Sequence, residues 1–92
     1  MAHDGYDDYS PVADQQLDVL ERTLAASMYD RILDVVEKIL DTPGQARARS
    51  AVIVTEQGNR YRSTVPGAYP DKVFWSLAAD GTARIEAIFP YR

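Results

Sequence analysis

Near residue 44 the spacing of apolar residues changes from three or four to two, and any fold open to this chain must accommodate that switch. No glycine or proline interrupts residues 12–41. Within that span Ala13, Leu17, Leu20 and Leu24 form one helical stripe, and Ile32, Val35, Val36, Ile39 and Leu40 form a second. A single helix over the whole span would be long for a domain of 92 residues, so a break into a helical hairpin is expected. Ser10-Pro11 suits the start of the first arm, because the hydroxyl can satisfy an early helix N–H and proline has no N–H to orphan. Ser27-Met28-Tyr29-Asp30 has the spacing of a capping box, which predicts that Ser27 caps the second arm while Asp30 reaches back. Asp41-Thr42-Pro43-Gly44 ends that arm. Met28 reads as core filling.

Beyond residue 44, residues 51–55, 61–65, 73–77 and 83–89 are short runs rich in Val, Ile, Tyr, Phe, Trp and Thr, as strands require. Gln57-Gly58-Asn59 predicts a tight turn, Pro66-Gly67 through Pro70-Asp71 a less regular one, and Ala79-Asp80-Gly81 a hairpin connection. Such short connections imply antiparallel pairing. Residues 3–9, acidic with tyrosines at 6 and 9, read as a short edge strand or an ordered tail. The expectation is therefore a single α+β domain spanning residues 1–92, with a helical hairpin packed on one face of a mainly antiparallel sheet.

The residue inventory removes several kinds of chemistry. Cysteine is absent, so there is no disulfide, thiolate metal site or cysteine nucleophile. The one histidine, His3, lies near the start, and nothing in the sequence supports it in a metal site or a Ser-His-Asp arrangement. No glycine loop of the phosphate-binding kind occurs, and no cofactor is expected. No apolar run is long enough for a membrane span or a signal-peptide core, so cytoplasmic residence is the expectation.

Charge is divided along the chain. Residues 1–41 hold ten acids and three Lys or Arg, a net −7, whereas residues 42–92 hold four acids and seven Lys or Arg, a net +3. One reading is that helices carry solvated acids and strands a few arginines. The other is a basic working face built from Arg47, Arg49, Arg60, Arg62, Lys72, Arg84 and Arg92. Arginine, lysine and tyrosine on a sheet can hold phosphates through charge and fork geometry while rings stack on bases. The same groups suit RNA cleavage by the ribose 2′-hydroxyl, which needs cations around the pentacovalent phosphate and a donor for the leaving oxygen.

Strand alternation puts Arg60 and Arg62 on one side with Tyr61 opposite, either as a phosphate clamp or as ordinary solvated arginines. Arg47 and Arg49, on the connector after the helices, either approach that same face or remain solvated loop residues. Lys72, ahead of Val73-Phe74-Trp75, either holds a phosphate or marks where the strand enters from solvent. Trp75 reads as packing rather than as a stacking platform. Tyr91-Arg92 either completes a site or forms an untethered end, and the second reading is the more ordinary.

In their order along the chain these motifs resemble the RelE/ParE toxin superfamily of bacterial toxin–antitoxin systems. Tyr9-Ser10-Pro11 with Ala13 and Leu17 is similar to the family's strand-to-helix opening, and Ile32 to Pro43 to its second helix. Arg60-Tyr61-Arg62 with Val65 and Gly67 is similar to its central basic strand. Tyr69 to Leu77, Asp80-Gly81 and Ile85 to Arg92 are similar to its closing hairpin. The resemblance implies a β-α-α-β-β-β order with residues 3–9 as the first strand, and an antitoxin as partner. In its ribosome-dependent branch it implies mRNA cleavage in the ribosomal A site, and in its other branch inhibition of DNA gyrase.

Carried over by position, Arg60, Arg62, Lys72 and Tyr91 correspond to the catalytic set, and Arg47, Arg49, Arg60, Arg62 and Arg92 to RNA-binding positions. The chain departs from the pattern at Phe89-Pro90, where a histidine or arginine pair is common, at Lys72, where arginine is usual, and in its overall acidity. The functional expectation is a type II toxin acting as a ribosome-dependent endoribonuclease. Its alternatives are a gyrase inhibitor, an inactive antitoxin-binding member, or an unrelated small binding module.

Overall fold

The computed structural model describes residues 8–91; residues 3–7 of the expected strand over 3–9, with His3, and Arg92 lie outside that range, and within it Asp8 is helical and Tyr9 makes an isolated bridge in place of a strand. Among the described residues the helices α1 (Pro11–Thr23), α2 (Ala26–Asp41) and α3 (Pro43–Ala48) precede the strands β1 (Ala51–Thr55), β2 (Gly58–Thr64), β3 (Asp71–Leu77) and β4 (Ala83–Pro90). The strands pair antiparallel with their neighbours in the order β1-β2-β3-β4, and α1 and α2 cover one face. The result is an α+β layer pair, as expected.

The first helix begins as its sequence dictates. Ser10 Oγ accepts from the Ala13 amide at 3.0 Å, and Pro11 follows. The same residue fastens the helix to the sheet, since its amide donates to the Ile85 carbonyl at 2.8 Å and its hydroxyl to the Glu86 carbonyl at 2.6 Å. Tyr9 makes a single parallel bridge to Ile85, so the chain reaches β4 as an extended segment immediately before α1.

Two helix boundaries differ from expectation. The hairpin breaks at Leu24-Ala25, and α2 starts at Ala26 with no side-chain cap. The Ala25 carbonyl instead takes the amides of Met28 and Tyr29, which leaves the predicted Ser27 cap without a role. Proline and glycine do stop α2, but Pro43 also opens the six-residue α3, because proline costs nothing in a first helical turn.

The core is the interface between the helical stripes and the inner face of the sheet. Ala13, Leu17, Ile32, Val36 and Ile39 meet Tyr61, Val65, Val73, Trp75, Ile85 and Ile88 there. Burying a side chain such as Ile32 or Ile85 stabilises the fold by about 1.5–3 kcal/mol relative to leaving it in water. Met28 is partly buried against this core. Trp75 is wholly buried and its ring lies 4.8 Å from that of Tyr61.

Between β3 and β4 the register shifts. Phe74 faces Ala87 whereas Trp75 faces Ile85, so Glu86 is an extra residue on β4, a β-bulge. Ile85 and Ile88 consequently both point into the core although they are three apart. The β1–β2 hairpin turns through Glu56-Gln57, one residue earlier than predicted, with Thr55 opposite Gly58 at φ +111°. Residues 51–55 form a full strand of the sheet, so the four strand runs read from the sequence are present, where the order implied by the RelE/ParE resemblance has three strands after the helices.

Candidate functional site

The helices leave the other face of the sheet uncovered, and alternation decides what it carries. Tyr61, Val73 and Trp75 point inward, so Arg60, Arg62, Lys72 and Phe74 point outward. Register then brings them together: Arg62 lies opposite Phe74, which lies opposite Ala87, and Lys72 lies opposite Phe89.

An aromatic cluster sits at the centre of this face. The rings of Phe74 and Phe89 stack with centroids 4.6 Å apart and planes at 10°. Tyr91 meets Phe74 edge-on at 5.7 Å and Phe89 at 6.5 Å. The chain end is therefore held at Tyr91, whose amide also donates to the Pro70 carbonyl at 3.0 Å. The untethered reading of Tyr91 is corrected: a backbone hydrogen bond and two ring contacts fix it.

Two cations lie against this cluster. The Arg62 guanidinium carbon is 4.8 Å from the Tyr91 ring centroid. Lys72 Nζ is 5.1 Å from the Tyr69 ring and donates to the Pro70 carbonyl at 3.3 Å. Each cation is thus held beside an exposed ring, with Tyr69 72% and Tyr91 42% accessible. Arg60 shares the face two residues along β2, where its guanidinium reaches the Asn59 carbonyl at 3.4 Å. Farther along, Ser76 donates to Glu86 Oε2 at 2.6 Å, which puts a carboxylate beside the aromatic cluster's β3 strand.

Asp71 starts β3 with only 6% of its surface accessible. Burial raises its carboxyl above the ordinary range, opposed by the neighbouring Lys72 ammonium. On the helical side, burial raises the Tyr9 and Tyr29 phenols, with acids nearby adding to the effect, Asp8, Asp14 and Glu37 around Tyr9 and Glu21, Asp18 and Asp30 around Tyr29. The acidic half of the sequence is therefore also an acidic side of the molecule.

Arg47 and Arg49 do not join the open face. Arg47 is exposed on α3. Arg49 lines a cleft of about 380 Å³ on the helical side, with Lys38, Thr42, Gln45 and the inward-facing Ser63. Of the two readings open for these arginines, the solvated one away from the arginines of β2 fits their exposed positions, because α3 carries the chain along the helical layer before β1 begins.

Phe74, Phe89 and Tyr69 were not among the sequence candidates. The alternation of Lys72-Val73-Phe74-Trp75 carries a signal for Phe74, since a buried Trp75 obliges Phe74 to face outward. Nothing local signals Phe89, whose side depends on the bulge at Glu86. Among the described residues no three His, Asp or Glu side chains group as metal ligands, and no helix is long and apolar enough to cross a membrane. No family model, curated protein or solved structure matches the chain.

Proposed function

We propose that the open sheet face binds single-stranded RNA and that the chain acts on translation as a type II toxin of the RelE/ParE kind. The observation that carries this reading is the pairing of Arg62 with Tyr91 and of Lys72 with Tyr69 around the Phe74–Phe89 stack. RNA-binding sheets need both components, rings for unpaired bases and cations for the phosphates between them. A solvated strand face needs neither arrangement.

In the nuclease form of this reading Arg60, Arg62 and Lys72 stabilise charge on the pentacovalent phosphate. The ribose 2′-oxygen bonds to phosphorus as the bond to the 5′-oxygen breaks, leaving a 2′,3′-cyclic phosphate. Water takes the 2′-hydroxyl proton, and the Tyr91 hydroxyl supplies one to the leaving 5′-oxygen. Ribosomal RNA and mRNA are then the nucleic-acid partners, and a cognate antitoxin holds the toxin inactive.

The test is conditional expression of the chain in bacteria, scoring growth and mapping mRNA ends by primer extension. Growth arrest with breaks phased to the A site, lost in Arg62→Glu, is the expected result. Arrest with intact mRNA overturns the nuclease form and directs the search to DNA gyrase. Normal growth with soluble protein overturns the toxin reading.

A further inference from the structure

The two edges of the sheet are treated differently. Along β4 the carbonyls of Ile85 and Glu86 accept from Ser10, and the Ile88 amide donates to Gln16 Oε1 at 2.6 Å, so α1 and the segment before it cover that edge. Along β1, among the described residues, nothing pairs with the outer edge. The strand is Ala-Val-Ile-Val-Thr, with no charge, no proline and no bulge, and so it lacks every usual protection of an exposed edge. The helices lie over β3 and β4, which leaves Val52 and Val54 at 55% and 79% accessible.

We propose that β1 pairs antiparallel with β1 of a second copy, across a two-fold axis at Ile53, to make one continuous eight-stranded sheet. The sequence is suited to pairing with itself. About Ile53, Val52 meets Val54 of the second copy on the helical side, and Ala51 meets Thr55. The four valines then cover one another where no helix reaches. In the same register Glu56 comes opposite Ser50 and beside Arg49 of the second copy, so the two ends of the paired strands carry opposite charges that meet twice. Because the β4 edge is covered, each chain offers one edge, and the assembly closes as a dimer rather than growing into a filament.

Sedimentation of the full chain at micromolar to millimolar concentration gives the first test, with a dimer expected and a monomer throughout overturning the proposal. Val54→Lys lies at a solvent-exposed position and is expected to give a folded monomer by circular dichroism, whereas a dimer that survives it overturns the proposal. Glu56→Arg and Arg49→Glu are each expected to weaken dimerisation by about three- to tenfold, the scale of exposed ion pairs, and together to restore it. Failure of the double variant to recover overturns the register.

The absence of cysteine allows a sharper test of that register. Residues at position 53 face each other across the axis, within the Cα separation a disulfide requires, while residues at position 54 are offset by two positions. Ile53→Cys is expected to form a covalent dimer under mild oxidation and Val54→Cys is not. Equal crosslinking at both positions, or none at position 53, overturns the proposed pairing.

Discussion

Trp75 Nε1 donates to Ser63 Oγ at 3.0 Å in the interior, and Ser63 lies 2.7 Å from Ser50 Oγ, which itself donates to the Ala46 carbonyl at 2.7 Å. With the Ser50 proton committed to Ala46, Ser63 must donate to Ser50, and the chain of bonds has one direction from indole to α3. This chain ties β3, β2 and α3 together through groups that would otherwise be stranded away from water. Ser63→Ala leaves the indole N–H unpaired and is expected to cost about 1–3 kcal/mol in urea denaturation. The double variant with Trp75→Phe is expected to cost less than the sum of the singles, because the orphaned donor is gone.

Removing charge and removing rings from the open face should have separable effects on RNA. Arg62→Gln and Lys72→Gln are each expected to weaken binding to a single-stranded oligonucleotide and to lower the salt slope by about 0.7. Phe74→Ala is expected to cost about 1–3 kcal/mol of affinity with the slope unchanged, since stacking releases no counterions. Arg49→Gln, on the helical side, is expected to leave both quantities as they are. Titration by fluorescence anisotropy at several salt concentrations distinguishes these outcomes.

Asp71 gives the protein a pH dependence of definite sign. Its folded-state carboxyl is raised by burial, so the folded state holds the proton at a pH where the unfolded chain has released it. The contribution to stability is complete below the unfolded value and falls as pH rises through the raised folded value. Asp71→Asn is therefore expected to raise the melting temperature at pH 7, and the gain should shrink as the pH is lowered towards 4. Melting curves across that interval, followed by circular dichroism, check both points.

Gly67 sits at φ +86°, and a Cβ there would fall against the Arg31 side chain. Gly67→Ala carries a backbone penalty and a contact penalty together, and a loss of more than about 1 kcal/mol is expected. Adding Arg31→Ala should recover the contact component and leave the backbone component, as denaturation of the single and double variants will show.

The helical spans and the strand segments were readable because their periodicity is strong and burial enforces it. The arginines of β2 were readable for the same reason, since Tyr61 between them had to face the core. The start of α2 was misread because the Ala25 carbonyl satisfies two amides without any side chain, and backbone geometry of that kind leaves no mark in the sequence. The helical connector that carries Arg47 was not legible because Pro43 and Gly44 look like an end, whereas the proline opens another helical turn. The aromatic half of the candidate site depended on which strands became neighbours, a fact of tertiary structure.

Glu86, the extra residue of β4, sets the phase of everything after it. Ahead of it Ile85 keeps time with Ala83, and behind it Ile88 and Phe89 follow the opposite beat. A strand of the same length with Glu86 paired in register, and no bulge, would turn Ile88 outward and Phe89 towards the helices. Substitutions on the open face can therefore tune it by degrees, but closing the bulge without shortening the strand exchanges inside for outside in a single step.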